Sequence, residues 1–315
     1  TDASISDFDR TLSHDALEGR AARGASALIA LGCGEDQSVA LVMRNDLTQL
    51  EIMRAAAKAG TILVALNWHG APDEVTAICD DSEAQTVIIH RDLIDTLRPA
   101  LRGRRVIAVT PDAALRSTYS ITDAAATAEP DFPEWDDLVA GYEPLTQPAS
   151  MRPLRRYTSG STGRPKGIRR ISSGPRGDFT DALKRIGKEM MGFKPGSHFF
   201  TAAPVYHSAP STLTSAALVS EGVSTSIAPK FEPHSFLATI EARRITHVYL
   251  VPTMMSRLLK LPQAEKDRYD TSSVEFCIST GSPWPHDLKQ AMIDWWGPVF
   301  WETYGASEIG FMTMA

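Results

Sequence analysis

Short apolar runs alternate with longer amphipathic ones along much of this chain, and that alternation limits the folds open to it. Residues 39–43 are apolar and close on Arg44-Asn45-Asp46, a buried strand running into a turn. Residues 47–58 then place Leu50, Met53 and Ala57 at helical spacing. Residues 62–66 predict the next strand, Pro72 opens a helix through residue 78, and residues 86–89 and 106–109 predict two more strands. A second series follows. Strands are predicted at 199–203, 224–227, 247–251 and 276–279, with helices at 182–191, 213–219 and 233–243. Strands alternating with helices imply βαβ units and a mainly parallel sheet, hence an α/β fold. Between the series, residues 110–150 carry Pro111, Pro130, Pro133, Pro144 and Pro148 and predict irregular chain with a short helix near 136–138.

The junction of the two series is chemically distinctive. It reads Tyr157-Thr158-Ser159-Gly160-Ser161-Thr162-Gly163-Arg164-Pro165-Lys166-Gly167. Glycines let backbone approach an anion closely, and free N–H groups in such a loop form a nest for phosphate oxygens. The hydroxyls add donors and Lys166 adds a point charge. A flexible Ser/Gly linker has no need of Pro165 or of a lysine beside it. The Walker spacing fails, because Pro165 separates Arg164 from Lys166 and no Ser or Thr follows. A second loop, residues 172–178, precedes the next helix.

The chain has 315 residues, 43% hydrophobic and 22% charged, enough for about two domains of ordinary globular composition. Its net charge of −6 and lack of a basic block argue against nucleic acid as a partner. Cys33, Cys79 and Cys277 show no metal-ligand spacing and read as buried free thiols of a cytoplasmic protein. The first residues show no signal-peptide pattern, and no apolar run is long enough to span a bilayer. The sequence leaves a homodimer open.

The loop Tyr157 to Gly167 resembles the phosphate signature of the adenylate-forming (AMP-binding) superfamily. Other segments follow in the family's order. Pro204-Val205-Tyr206-His207 resembles its aromatic-His segment in the acyl pocket, and Val251-Pro252-Thr253 a pocket-lining turn. Ser279-Thr280-Gly281-Ser282-Pro283 resembles the adenine-contacting turn, and Thr303-Tyr304-Gly305-Ala306-Ser307-Glu308 the Y-G-x-[ST]-E motif. Leu66-Asn67, Glu74 and Asp81-Ser82 resemble the early region. The wording from Gly163 to Arg170 is closest to bacterial fatty-acyl-CoA synthetases.

The resemblance implies a large N-terminal domain of two αβα subdomains with mainly parallel sheets packed together. The phosphate loop would lie in residues 38–195, and the acyl and adenine sites in 196–315 together with 1–37. It implies ATP, Mg²⁺ and coenzyme A, and a small carboxylic acid as substrate. A carboxylate attacks the α-phosphorus of ATP, pyrophosphate leaves, and a thiol then displaces AMP from the acyl-adenylate. An anion must approach a polyanion in that first step, so donors and a cation have to neutralise the phosphates.

Thr158, Ser159, Gly160, Ser161, Thr162, Gly163 and Lys166 are the implied phosphate contacts. Glu308, with Thr158, is the implied Mg²⁺ site. Gly281, Ser282 and Pro283 would pass backbone along the adenine. Thr303, Tyr304, Gly305 and Ser307 would complete the nucleotide site. The catalytic set is then Lys166, His207, Thr303 and Glu308. Alternatives stand beside three of these assignments. Glu308 alone reads as a solvated acid, Tyr304 as a half-buried core tyrosine, and His207 as structural. Trp284, Met254 and Met255 line either an acyl channel or the core.

The family also has a ribose-binding Asp and a small C-terminal domain with a lysine that assists adenylation. The 315 residues hold neither, so the resemblance implies an incomplete N-terminal domain, weak or inactive when isolated. The expected activity of the full-length protein is a carboxylate–CoA ligase for a fatty or other hydrophobic acid. An aryl-CoA ligase is an alternative. An amino-acid adenylation domain would place an Asp near Tyr206-His207-Ser208, and no acid lies between Phe199 and Ser220. A non-catalytic nucleotide- or acyl-binding module is the alternative from another class.

Overall fold

The computed structural model describes residues 3–128, 131–158, 166–168, 179–306 and 310–314. Its strands in chain order are β1 (Ser4–Ser6), β2 (Thr11–Ser13), β3 (Ser38–Val42), β4 (Ile62–Ala65), β5 (Thr86–His90), β6 (Arg105–Val109) and β7 (Arg156–Thr158). They continue with β8 (Lys166–Ile168), β9 (His198–Thr201), β10 (Ser224–Ile227), β11 (His247–Tyr249), β12 (Phe276–Ser279), β13 (Phe300–Ala306) and β14 (Gly310–Met314). Two compact units divide the chain, Asp9–Ala182 and Thr1–Phe8 with Leu183–Ala315.

In Asp9–Ala182 a parallel sheet runs in the order β4-β3-β5-β6. Its strands are buried on both faces, as parallel strands under crossover helices must be. Ala40, Val42, Val87 and Ile89 pack with Val75, Ile78 and Leu97 from helices Pro72–Asp81 and Ile94–Leu101. Side chains alternate across a strand, so Val39, Leu41 and Ile88, also buried, face the other way. Helix Leu47–Ala59 starts where the Asp46 carboxylate accepts the Gln49 N–H at 2.7 Å, and ends at Gly60, whose φ of 70° suits glycine. Helix His14–Ala30 lies against it. A Cβ at Gly24 would sit 3.0 Å from the Ala55 methyl, and Glu18 pairs with Arg54 and Lys58, both at 2.7 Å.

In the other unit the sheet order is β14-β13-β12-β11-β9-β10-β1, parallel except for the β13–β14 pair. Phe200, Val248 and Cys277 face helices Pro233–Arg243, Pro252–Leu259 and His286–Trp296. Their strand neighbours Phe199, Tyr249 and Ile278 face helix Ser208–Val219. β1 is tied in by more than its ladder. Ser6 and Ser226 share a hydrogen bond of 2.8 Å, and Arg243 donates to Ser226 Oγ and to the Asp7 carbonyl.

Three features differ from the sequence reading. Residues 9–37 group with the unit that carries β7 and β8, where helix His14–Ala30 buries Leu17, Ala21 and Leu28, whereas β1 pairs with β10. The proline-interrupted region is not irregular throughout. It holds helices Ala113–Tyr119, Asp123–Ala126 and Trp135–Ala140, the first two capped by the side chains of Asp112 and Thr122. The helix expected over 182–191 is an α-helix at Phe179–Arg185 that widens into a π-helical turn at Ile186–Met190. The three cysteines are buried free thiols. Among the described residues, no helix is long and apolar enough to cross a membrane.

Candidate active site

The two ends of the segment Tyr157 to Gly167 form an antiparallel hairpin in Asp9–Ala182. β7 and β8 pair Arg156 with Ile168, Tyr157 with Gly167 and Thr158 with Lys166. Of the predicted phosphate contacts, Thr158 and Lys166 are therefore brought together as a cross-strand pair, with Lys166 exposed. Ser159, Gly160, Ser161, Thr162 and Gly163 lie outside the described residues, as does the second loop at 172–178.

The hairpin is held from below by Leu63 and by the Asp81-Ser82 pair, which the sequence analysis named without a contact to this strand. The Arg155 N–H donates to the Leu63 carbonyl at 2.8 Å, and its guanidinium donates to the Ser82 carbonyl at 3.0 Å. The Tyr157 hydroxyl donates to Asp81 Oδ2 at 2.5 Å. Partial burial of the phenol, together with that hydrogen bond and the Asp81 charge, pushes the Tyr157 pKa well up. The Tyr157 ring packs on the core beneath the sheet and leaves no room opposite. A Cβ at Gly167 would lie 2.9 Å from Tyr157 Cζ and 3.0 Å from Asp81 Oδ2. Gly167 was a signal of this contact, since a glycine inside a strand marks close approach by another group.

The remaining predicted residues collect in the other unit. The registers Thr201↔Tyr249, Tyr249↔Ile278 and Ile278↔Trp301 align four parallel strands. Residues just beyond those positions therefore share the carboxyl edge of the sheet, where open α/β sheets place their ligands. His207 is there as the N-cap position of helix Ser208–Val219, with its exposed ring 4.3 Å from the Tyr206 ring. Partial burial lowers its pKa. Val251 caps helix Pro252–Leu259 at the same edge. Gly281, Ser282 and Pro283 follow β12, and Gly281 adopts a φ of 93° with nothing within 4 Å of where a Cβ would be. Glycine is required there by conformation rather than by a crowded neighbour.

Thr303, Tyr304 and Gly305 lie on β13. Thr303 is buried, whereas Tyr304 is 73% exposed and so is not a core tyrosine. The β13–β14 register shifts between Tyr304 and Gly305, a bulge of the kind that re-aims side chains beside sites. Met255 and Trp284 are core residues, and Met254 packs against that core. Ser307 and Glu308 lie outside the described residues. Among the described residues no group of three or more His, Cys, Asp or Glu side chains is placed to hold a metal. Mg²⁺ held by a single carboxylate, phosphate oxygens and water needs no such group.

The chain belongs to the AMP-binding enzyme family, which matches residues 1–315. It is 28% identical over 297 residues to a feruloyl-CoA synthase of an Amycolatopsis species, covering 94% of this chain and 54% of that protein. It is 25% identical over 327 residues to a medium/long-chain-fatty-acid–CoA/3-oxocholest-4-en-26-oate–CoA ligase of Mycobacterium marinum, covering 96% of this chain and 57% of that protein. The chain thus spans about half the length of the curated relatives it matches. Its fold is shared with the amide bond synthetase McbA from Marinactinospora thermotolerans, at a TM-score of 0.80 and 20% identity, over 99% of this chain and 59% of that one.

Proposed function

We propose that this chain is the nucleotide- and acid-binding part of an ATP-dependent carboxylate–CoA ligase acting through an acyl-adenylate. The observation that carries the reading is the β7–β8 hairpin, which pairs Thr158 with Lys166, the residues that flank the run of hydroxyls and glycines in the sequence. Donors and a cation there would neutralise the pyrophosphate as the acid attacks the α-phosphorus. Ser159 to Gly163 would add backbone and hydroxyl donors. Glu308, with Thr158, would hold Mg²⁺. The turn Gly281-Ser282-Pro283 and Tyr304 would bound the adenine, with Gly305 relieving the backbone beside it. Thr303 and Ser307 would donate to the α-phosphate or the acyl carbonyl, and His207 would position the carboxylate. Buried free thiols support a reducing, cytoplasmic setting.

The acid is hydrophobic on this reading. The segment from Phe199 to Ser220 carries no acidic residue that would pair with a substrate ammonium. Fatty and aryl acids are both supported, since the relatives are named for feruloyl and for medium- and long-chain substrates. ATP–pyrophosphate exchange over aliphatic, aromatic and amino acids tests the reading, run on this chain and on the longest polypeptide that carries it. Exchange driven by a hydrophobic acid supports it. Exchange with amino acids alone, or with no acid, overturns it.

A further inference from the structure

We propose that Asp81 is a positioning residue for the phosphate-binding hairpin, acting through Tyr157 on the strand that carries Lys166. The inference rests on the nucleotide role proposed for that hairpin. Asp81 is the last residue of helix Pro72–Asp81, and its side chain is exposed. It receives the Tyr157 hydroxyl at 2.5 Å from 76 residues away in sequence. Tyr157 faces Gly167 across the β7–β8 ladder, and both its ring and the Asp81 carboxylate crowd the space where a Gly167 side chain would project. Backbone of β8 is therefore drawn against the Tyr157–Asp81 pair. Lys166, one residue before Gly167 and opposite Thr158, takes its place from that contact.

A two-stranded ribbon is marginal by itself and takes its order from what it packs against. This ribbon has three named attachments on Asp81 and its surroundings: Tyr157 to Asp81, the Arg155 guanidinium to the Ser82 carbonyl, and the Arg155 N–H to Leu63. The first is made by side chains at both ends, so a substitution can remove it. The acceptor is a carboxylate, which makes the hydrogen bond charge-assisted. Its exposure means that replacing it leaves no buried orphan, and the Asp81→Ala chain is expected to fold.

The experiment compares the unmodified 315-residue chain with Asp81→Ala, Asp81→Asn and Tyr157→Phe. It reads amide hydrogen exchange at residues 156–158 and 166–168, and ATP affinity by calorimetric titration. Asp81→Ala and Tyr157→Phe are expected to speed exchange in the hairpin about tenfold while β3 and β5 are unchanged, and to weaken ATP several-fold. Asp81→Asn keeps an oxygen that accepts from Tyr157 and is expected to restore most of both. Because the two groups act as one contact, the double variant Asp81→Ala/Tyr157→Phe is expected to match the singles. Unchanged hairpin exchange in Asp81→Ala overturns the proposal, and so does faster exchange with undiminished ATP affinity, which leaves Asp81 a structural role only. An unmodified chain that takes up no ATP overturns the nucleotide reading instead. Asp81 then fails as a positioning residue with it, while the exchange rates separately judge the clamp.

Discussion

Glu51 Oε1 accepts the indole N–H of Trp135 at 2.8 Å, although the two residues are 84 positions apart. The same carboxylate receives Arg20, Nε at 2.5 Å and Nη2 at 3.2 Å, so one buried acid joins three helices of the Asp9–Ala182 unit. Removing the acceptor leaves a buried indole N–H and a half-buried guanidinium without it. Glu51→Ala is expected to cost about 2–4 kcal/mol in urea unfolding followed by tryptophan fluorescence. Glu51→Gln keeps an oxygen for Trp135 and is expected to cost less. A Glu51→Ala midpoint equal to that of the unmodified chain would show that the clamp contributes nothing.

Two glycines of helix His14–Ala30 are expected to respond oppositely to alanine. A Cβ at Gly24 would lie 2.7 Å from Trp135 Cζ2, whereas Gly19 has nothing within 4 Å. Gly19→Ala should stabilise by about 0.5–1 kcal/mol through helix propensity. Gly24→Ala should destabilise by about 1–2 kcal/mol, since overpacking outweighs that gain. Thermal melts of the two variants side by side decide it; shifts of the same sign would contradict the packing.

Stability is expected to fall as the pH drops from 6.5 toward 4. Burial lowers His198 and His247 to about 4 from the usual 6.5. His247 Nε2 donates to the Met191 carbonyl at 3.0 Å, and Nδ1 lies 2.7 Å from the Thr246 hydroxyl, an arrangement made by the neutral ring. The unfolded chain takes up protons in this interval that the folded chain refuses, so the stabilisation is complete above 6.5 and lost on approaching 4. Each histidine is expected to contribute on the order of a few kcal/mol across it. Glu18 behaves separately. Burial raises its pKa, but Arg54 and Lys58 outweigh that and hold it at about 2, so its contribution is lost only below about 4.5. Melting temperatures read every half unit of pH check the window; a flat profile between 6.5 and 4 would refute it.

Lys166→Ala is expected to weaken ATP or pyrophosphate binding roughly ten- to hundredfold, the loss of one charge-assisted hydrogen bond of about 1.5–3 kcal/mol. Titration of each ligand into the variant reads this directly. Affinities within a factor of two would take Lys166 out of the site.

Glu308→Gln is expected to raise the Mg²⁺ concentration needed for half-maximal ATP–pyrophosphate exchange, because a neutral amide is a poorer Mg²⁺ ligand than a carboxylate. A Mg²⁺ titration superimposable on that of the unmodified protein would dismiss Glu308 as a ligand.

The sequence by itself determined the class of fold and the positions of most strands. Residues 39–43, 62–66 and 87–89 are apolar on both faces, and a parallel sheet covered by helices hides such runs. It also carried the order of the segments proposed as a site, because Gly167, Gly281 and the hydroxyls before Lys166 are requirements of backbone and charge written locally. Helices Ala113–Tyr119 and Asp123–Ala126 were less legible. Their Asp112 and Thr122 caps are in the sequence, but helices so short depend on tertiary packing more than on propensity. Tertiary structure alone decided that Asp81 meets Tyr157, that Glu51 meets Trp135, and that the chain changes unit after Phe8. Periodicity reports which face of an element is buried. It carries no information about which distant element arrives to bury it, and every one of those pairings is a choice of distant partner.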